Sequence, residues 1–138
     1  MSKKKKILFV CIGNSCRSQM AEGFMKKHGS VSFEVRSAGT AACGAVNRDT
    51  IVAMKEAGVD ISGQSSKQLT DEMIDWADAV VTLGCIPAER LCPASYAGKR
   101  YDWRVEDPLG MGDGFVERVR DGVEKRVLAL IKELKDGQ

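Results

Sequence analysis

The chain predicts an α/β sandwich of three layers, α/β/α, around a central, mainly parallel four-stranded sheet. Two apolar runs, residues 7–10 and 79–83, are rich in β-formers and lack polar alternation, as strands buried on both faces do. Stretches with helical spacing separate the predicted strands, the order expected of βαβ units. The first run also passes through a short loop directly into a helical stretch, and ligands of such sheets bind at the carboxyl ends of strands.

Residues 7–10 read as the first strand, and 18–27 as a helix with Ser18 as its cap, Glu22 favourable in its early turns and Gly29 as its stop. Residues 33–37 alternate as a second strand, closed by a turn at Ala38-Gly39. A second helix over 47–57 carries Ile51, Met54 and Ala57 at helical spacing and is stopped by Gly58. Residues 66–75 suggest a short, polar helical turn or two. The third strand, 79–83, leads into a cysteine-bearing segment over 84–93. Residues 99–103 suggest a fourth strand. A long helix over 115–134 aligns Val116, Val119, Val123, Val127, Leu130, Ile131 and Leu134 on one stripe. All 138 residues are expected to form one domain.

Composition excludes several classes. The chain is 43% hydrophobic and 29% charged, with a net charge of +2, typical of soluble globular proteins and too weakly basic to suggest a nucleic-acid partner. Lys3-Lys4-Lys5-Lys6 reads as a solvated tail, because no apolar segment of signal-peptide or membrane length follows it. The expectation is a cytoplasmic monomer without a membrane partner. Five cysteines, an odd number without a signal peptide, imply resting thiols and not a disulfide framework. No C-x-x-C pair occurs and the lone His28 is remote from every cysteine pair, so no metal is expected.

Chemistry concentrates in Cys11-Ile12-Gly13-Asn14-Ser15-Cys16-Arg17-Ser18. A loop that leaves a strand and opens a helix turns its N–H groups toward one point, which suits a tetrahedral oxyanion. Ile12, Gly13, Asn14, Ser15 and Cys16 are the expected binding loop, and Arg17 adds a planar fork for two substrate oxygens. Gly13 and Asn14 suit the positive φ angles of a tight loop. Cys11 is then a sulfur nucleophile aimed at the anion's central atom, with Ser18 within reach of its sulfur. Cys11 ends the first strand and Cys85 follows the third, so both are expected at the same edge of the sheet.

With the following Ser18-Gln19-Met20-Ala21-Glu22-Gly23, this loop resembles low-molecular-weight protein tyrosine phosphatases, and still more the arsenate reductases that share their fold. The resemblance includes Ser37-Ala38-Gly39, residues 53–62, Val80-Val81-Thr82-Leu83, Glu106-Asp107-Pro108 and the C-terminal helix. It implies a low-molecular-weight phosphatase-like fold and a general acid, Asp107, that protonates the leaving oxygen. The two activities part at the second step: a phosphatase hydrolyses the phospho-enzyme with water, whereas a reductase needs a second thiol. Cys85 and Cys92 are similar in spacing and place to the pair in thioredoxin-coupled reductases. By that resemblance Cys85 attacks Cys11, Cys92 attacks Cys85, and the resulting disulfide passes to a thioredoxin-type or glutathione–glutaredoxin donor. The expected activity is reduction of arsenate to arsenite without a tightly bound cofactor. The alternative is a phosphatase acting on phosphotyrosine or a small phosphate ester through Cys11, Arg17 and Asp107 alone. Leu109-Gly110 after the Asp-Pro gives no aromatic wall, which favours a small inorganic oxyanion.

Four positions depart from or extend the pattern. Gly84 stands between Leu83 and Cys85, where similar reductases place the cysteine directly after the strand. Cys43 occupies a glycine-containing loop and is expected to be an incidental thiol. Cys16 is expected to contribute its backbone N–H. Some thioredoxin-coupled members bind potassium near the loop; Asn14, Glu22, Ser37 and Ser65 match that set, but Lys67 takes the register of an aspartate. The resemblance therefore implies no potassium dependence here.

Overall fold

A computed structural model describes residues 4–84, 86–108, 112 and 114–136. Four strands, β1 (Lys5–Cys11), β2 (Phe33–Gly39), β3 (Ala79–Leu83) and β4 (Lys99–Trp103), form one sheet in the order β2-β1-β3-β4. Every pairing is parallel. The helices are α1 (Arg17–Gly29), α2 (Arg48–Glu56), α3 (Asp71–Trp76), α4 (Ala88–Leu91) and α5 (Phe115–Asp136).

The unbroken apolar run of β1 serves two cores. Ile7 and Phe9 join Val81 and Leu83 in a cluster with residues of α1 and α5, whereas Leu8 and Val10 join Val80, Ile74, Ala77 and Cys92 in a cluster on the other face. Side chains of successive strand residues point to opposite faces, so a strand covered on both sides must be apolar at every position. The layers are thus α/β/α, as expected. Val119, Val123, Val127, Leu130 and Leu134 bury the inner stripe of α5, with Val116 and Ile131 packed half-buried beside them.

Several local expectations change. Ser18 is not the cap of α1: Cys16 holds that position without a side-chain cap bond. Gly29 is the last residue of α1, but Ser30 after it stays right-handed, so no left-handed glycine ends the helix. Gly13 does not have positive φ; Asn14 does, at 49°. β2 runs on through Ala38 and Gly39 instead of turning there. Residues 66–70 are not helical; Gln68 bridges to Gly39, and α3 begins at Asp71 under a Thr70 cap. Lys5 and Lys6 belong to β1, where the Lys5 ammonium donates to the Leu134 carbonyl at 2.9 Å and the Lys6 N–H to Asp78 at 2.8 Å. Lys3, Cys85, Leu109 and Gly110 lie outside the described residues.

Gly39 sits where β2 passes under the loop after β1. A Cβ there would lie 2.4 Å from the Ile12 carbonyl oxygen and 2.9 Å from the Asn14 nitrogen. Both are backbone atoms of the candidate binding loop, so only a residue without a side chain lets the loop settle on the sheet. Gly39→Ala is expected to destabilise the fold by about 1–3 kcal/mol through overpacking and to weaken phosphate binding at the loop. Denaturant unfolding and phosphate titration check this; unchanged values in both would show that the loop relaxes freely.

Candidate oxyanion and thiol site

The carboxyl edge of β1 delivers Cys11, 2% exposed, to the floor of the loop formed by residues 12–16. Among the described residues, the N–H groups of Gly13, Ser15 and Cys16 meet no acceptor within the chain. The first turn of α1 adds further N–H groups that a helix leaves unpaired, and no acidic side chain occupies that turn. An uncapped positive helix end and an open set of loop amides together favour an anion. Ile12 stands at the rim, 48% exposed. The loop is anchored from outside: Asn47 donates its N–H to the Ser15 carbonyl, Cys43 its N–H to the Gly13 carbonyl, both at 3.0 Å, and Ser66 its hydroxyl to Gly13 at 3.1 Å.

Arg17 is buried, and its Nη1 donates to the carbonyls of Gly84 at 3.3 Å and Val105 at 3.1 Å. These acceptors follow β3 and β4, so the guanidinium is fixed by both neighbouring strand ends. Its Nη2 lies 3.8 Å from an Asp107 oxygen, and Asp107 is half exposed. Gly84 has φ +73°, and a Cβ on it would approach the Val105 carbonyl oxygen to 2.3 Å and Arg17 Nη1 to 2.5 Å. The inserted glycine is therefore the residue that lets the chain pass the arginine.

A buried polar chain ends on the Cys11 sulfur. Glu22, itself buried, accepts from the Ser37 hydroxyl at 2.5 Å. Asn14 Nδ2 donates to Ser37 Oγ at 3.0 Å and to Ser18 Oγ at 2.7 Å. Ser18 Oγ lies 2.8 Å from Cys11 Sγ, and the Asn14 N–H donates to the same sulfur at 3.2 Å. The Asn14 carbonyl oxygen Oδ1 accepts from the Lys67 N–H at 2.7 Å and from Gln19 Nε2 at 3.0 Å, which fixes the amide's orientation. Gln19, fully buried, also donates to Ser65 at 2.8 Å. Sequence reading missed Gln19, because a glutamine in a helix gives no sign of facing inward.

The surroundings of Glu22 do not fit a resident potassium ion. The Lys67 ammonium lies 3.7 Å from Glu22 Oε1 and donates to the Ser65 carbonyl at 2.6 Å, while the Lys26 ammonium is 2.6 Å from Glu22 Oε2. Two fixed cations already balance this carboxylate.

The described cysteines differ. Burial pushes the Cys16 thiol up from its ordinary pKa, against smaller lowering by hydrogen bonds with Thr50 and Ser15. Burial likewise raises Cys92, opposed by the nearby Arg100 guanidinium. Cys43 is exposed, and hydrogen bonding at the Ala45 backbone pulls its thiol down, helped by the Ser15 and Ser66 hydroxyls. Cys11, Ser18, Arg17 and Asp107 come together at one edge. Cys92 sits on the opposite sheet face, at the end of α4, and is 5% exposed.

A parallel sheet that carries a strand-end cysteine, an open amide loop and a buried arginine at one edge defines the class of thiol enzymes that work on tetrahedral oxyanions. Residues 6–138 match the family described as low molecular weight phosphotyrosine protein phosphatase, and the chain belongs to it. It is 46% identical over 132 residues to the arsenate reductase of Halalkalibacterium halodurans, a match spanning 90% of this chain and 93% of that protein. A solved arsenate reductase in its phosphate-binding state superposes with a TM-score of 0.80 at 38% identity, covering 94% of this chain and 98% of the other. The thioredoxin-dependent arsenate reductase Cg_ArsC1' of Corynebacterium glutamicum gives 0.84 at 30% identity, covering 99% of this chain and 65% of that one.

Two outcomes follow from this geometry. Thermal melts in matched potassium and sodium chloride are expected to coincide, since Lys67 already neutralises Glu22; a rise of several degrees in potassium alone would contradict this. Alkylation of the reduced protein near neutral pH is expected to modify Cys43 before Cys16 and Cys92. Because Cys43 is lowered and the other two raised, raising the pH narrows the gap; equal rates at neutral pH would overturn the ordering.

Proposed function

We propose that this chain reduces arsenate to arsenite with its own thiols, which a thioredoxin-type dithiol then restores. The observation that carries the reading is the contact between the two halves of the chemistry. Gly84, directly before Cys85, holds the Arg17 guanidinium, so the segment bearing the relay cysteines starts at the oxyanion loop. Relatives named arsenate reductase at 43% and 46% identity point to the same substrate.

In this reading the loop amides and Arg17 bind arsenate over Cys11. The Cys11 thiolate forms a bond to arsenic, and Asp107 protonates the oxygen that leaves as water. Cys85, as thiolate, then attacks the Cys11 sulfur. The sulfur–arsenic bond breaks with its electron pair going to arsenic, which departs as arsenite, and a Cys11–Cys85 disulfide forms. Cys92 attacks Cys85 and frees the Cys11 thiolate. The Cys85–Cys92 disulfide is reduced by an external dithiol through exchange. Ser18 and the Asn14 N–H stabilise the Cys11 sulfur at the two points where it carries charge, before attack and on release.

Phosphate-ester hydrolysis is the second reading, favoured by the family's description and by a set of Cys11, Arg17 and Asp107 that needs no further thiol. Single-turnover reaction with arsenate, followed by disulfide mapping by mass spectrometry, separates the two. A Cys85–Cys92 bridge is the expected product, and free thiols at both positions after turnover would sink the relay. Cys85→Ser and Cys92→Ser are expected to abolish arsenate turnover while retaining aryl phosphate hydrolysis. Loss of both activities in both variants would assign these cysteines to structure.

A further inference from the structure

The relay asks Cys92 to reach another sulfur, yet the residue is 5% exposed and packs with Leu8, Val10, Ile74, Ala77 and Val80. A disulfide requires its two α-carbons to lie about 4.4–6.8 Å apart with their β-carbons facing. To meet a partner outside the cluster Cys92 has to leave its cover, and whatever holds α4 holds Cys92 with it. The Cys92 N–H donates to the Ala88 carbonyl at 2.9 Å, so the cysteine closes the helix.

α4 has only four residues, and Pro87 at its start gives no side-chain cap. A single turn is not stable by itself. Its first N–H, on Ala88, donates instead to Asp102 Oδ1 at 2.7 Å, and the same oxygen accepts from the Thr82 hydroxyl at 2.5 Å. Thr82 and Asp102 are register partners on β3 and β4, so the sheet sets the carboxylate's position. Among the described residues, Asp102 is the one side chain outside α4 that bonds to its backbone. Beyond Cys92 the chain has a separate hold, since Arg100 donates to the carbonyls of Pro93 at 3.3 Å and Tyr96 at 3.0 Å. With the Ala88 bond released, residues 86–92 can unwind as far as the hold at Pro93.

We propose that Asp102 is a positioning residue for the thiol relay, keeping α4 folded and Cys92 covered until the cysteine is needed. This rests on the relay reading above. Release of the Ala88 N–H lets the turn unwind and carries Cys92 out of its cluster; re-formation of the bond returns the reduced thiol to cover. No bond to sulfur is made or broken by Asp102, so its effect falls on the step that consumes Cys92 and not on attack by Cys11.

The test uses the full reduced chain, with iodoacetamide as the probe and peptide mass spectrometry reading Cys92. Asp102→Ala is expected to speed Cys92 alkylation about tenfold, the factor corresponding to one hydrogen bond to a charged acceptor. Asp102→Asn retains an acceptor oxygen but not its charge, and is expected to give a smaller rise, about threefold. Thr82→Val, which frees the carboxylate without removing it, is expected to give a smaller rise, about threefold. Cys43 alkylation and aryl phosphate hydrolysis are expected to be unchanged in all three, which a loosened sheet would not allow. In single turnovers with arsenate, Asp102→Ala is expected to form the Cys85–Cys92 bridge faster than the parent. Parent-like Cys92 alkylation in Asp102→Ala, or slower bridge formation, overturns the proposal. Failure of the parent to form the bridge at all is a different result: it removes the relay, while the alkylation rates still decide whether Asp102 keeps Cys92 covered.

Discussion

A carboxylate paired with two ammonium groups accepts hydrogen bonds but has none to give, and at Glu22 this orients the Ser37 hydroxyl, where the polar chain to Cys11 begins. Ser37 must donate to Glu22. Its oxygen is then an acceptor toward Asn14 Nδ2. The second Nδ2 hydrogen reaches Ser18, whose own proton is left to point at the Cys11 sulfur. The Cys11 sulfur thus stands at the receiving end of the chain, with the Asn14 N–H as a second donor. The arrangement is buried, where a reversed or unpaired link would cost far more than in water. Lys26 and Lys67 make the burial of Glu22 tolerable, since a buried charge without partners is not sustainable. Loop, first helix and second strand are thus held by one polarity.

Arg17 joins this arrangement to the other half of the sheet. Its guanidinium is the second group that the oxyanion would meet, and the carbonyls of Gly84 and Val105 fix it from the ends of β3 and β4. Both carbonyls lie just past strand ends, so the arginine is seated by the chain where it leaves β3 and β4. A glycine at residue 84 is required twice over, by its positive φ and by the absence of room for a Cβ. The insertion between Leu83 and Cys85 is in this sense part of the arginine's seat.

The sheet was legible because buried parallel strands have few alternatives: residues 79–83 and 99–103 match the expected limits, and 7–10 lie inside β1. Ser18 was misread for a physical reason. A serine before a helical run carries the signature of a cap, but here its hydroxyl is taken by Cys11, and a capped helix end would offer one N–H fewer to an anion. Ala38-Gly39 resembled a turn because glycine often marks one. The true cause, backbone atoms of the loop within 3 Å of where a Cβ would be, depends on residues some 27 positions earlier and leaves no local trace. The same holds for Gln19 and for the bridge from Gln68 to Gly39. Cys11 and Arg17 were legible because strand, loop and helix are contiguous. The link from Gly84 and Val105 to Arg17 was not, because it closes across the sheet.

The two faces of the sheet divide the work. On the face of α1 and α5, long helices and large side chains such as Phe9, Phe24 and Met20 form a continuous core, which holds the loop rigid. The other face is covered by α3 and α4, of six and four residues, with a smaller cluster that includes a thiol. Short helices contribute little stability of their own and open locally at low cost. A rigid anion site and a releasable thiol make opposite demands, and one continuous core would couple them. Placing them on opposite faces of β1 and β3 lets the α4 segment move while the strands that carry Cys11 and Gly84 stay fixed.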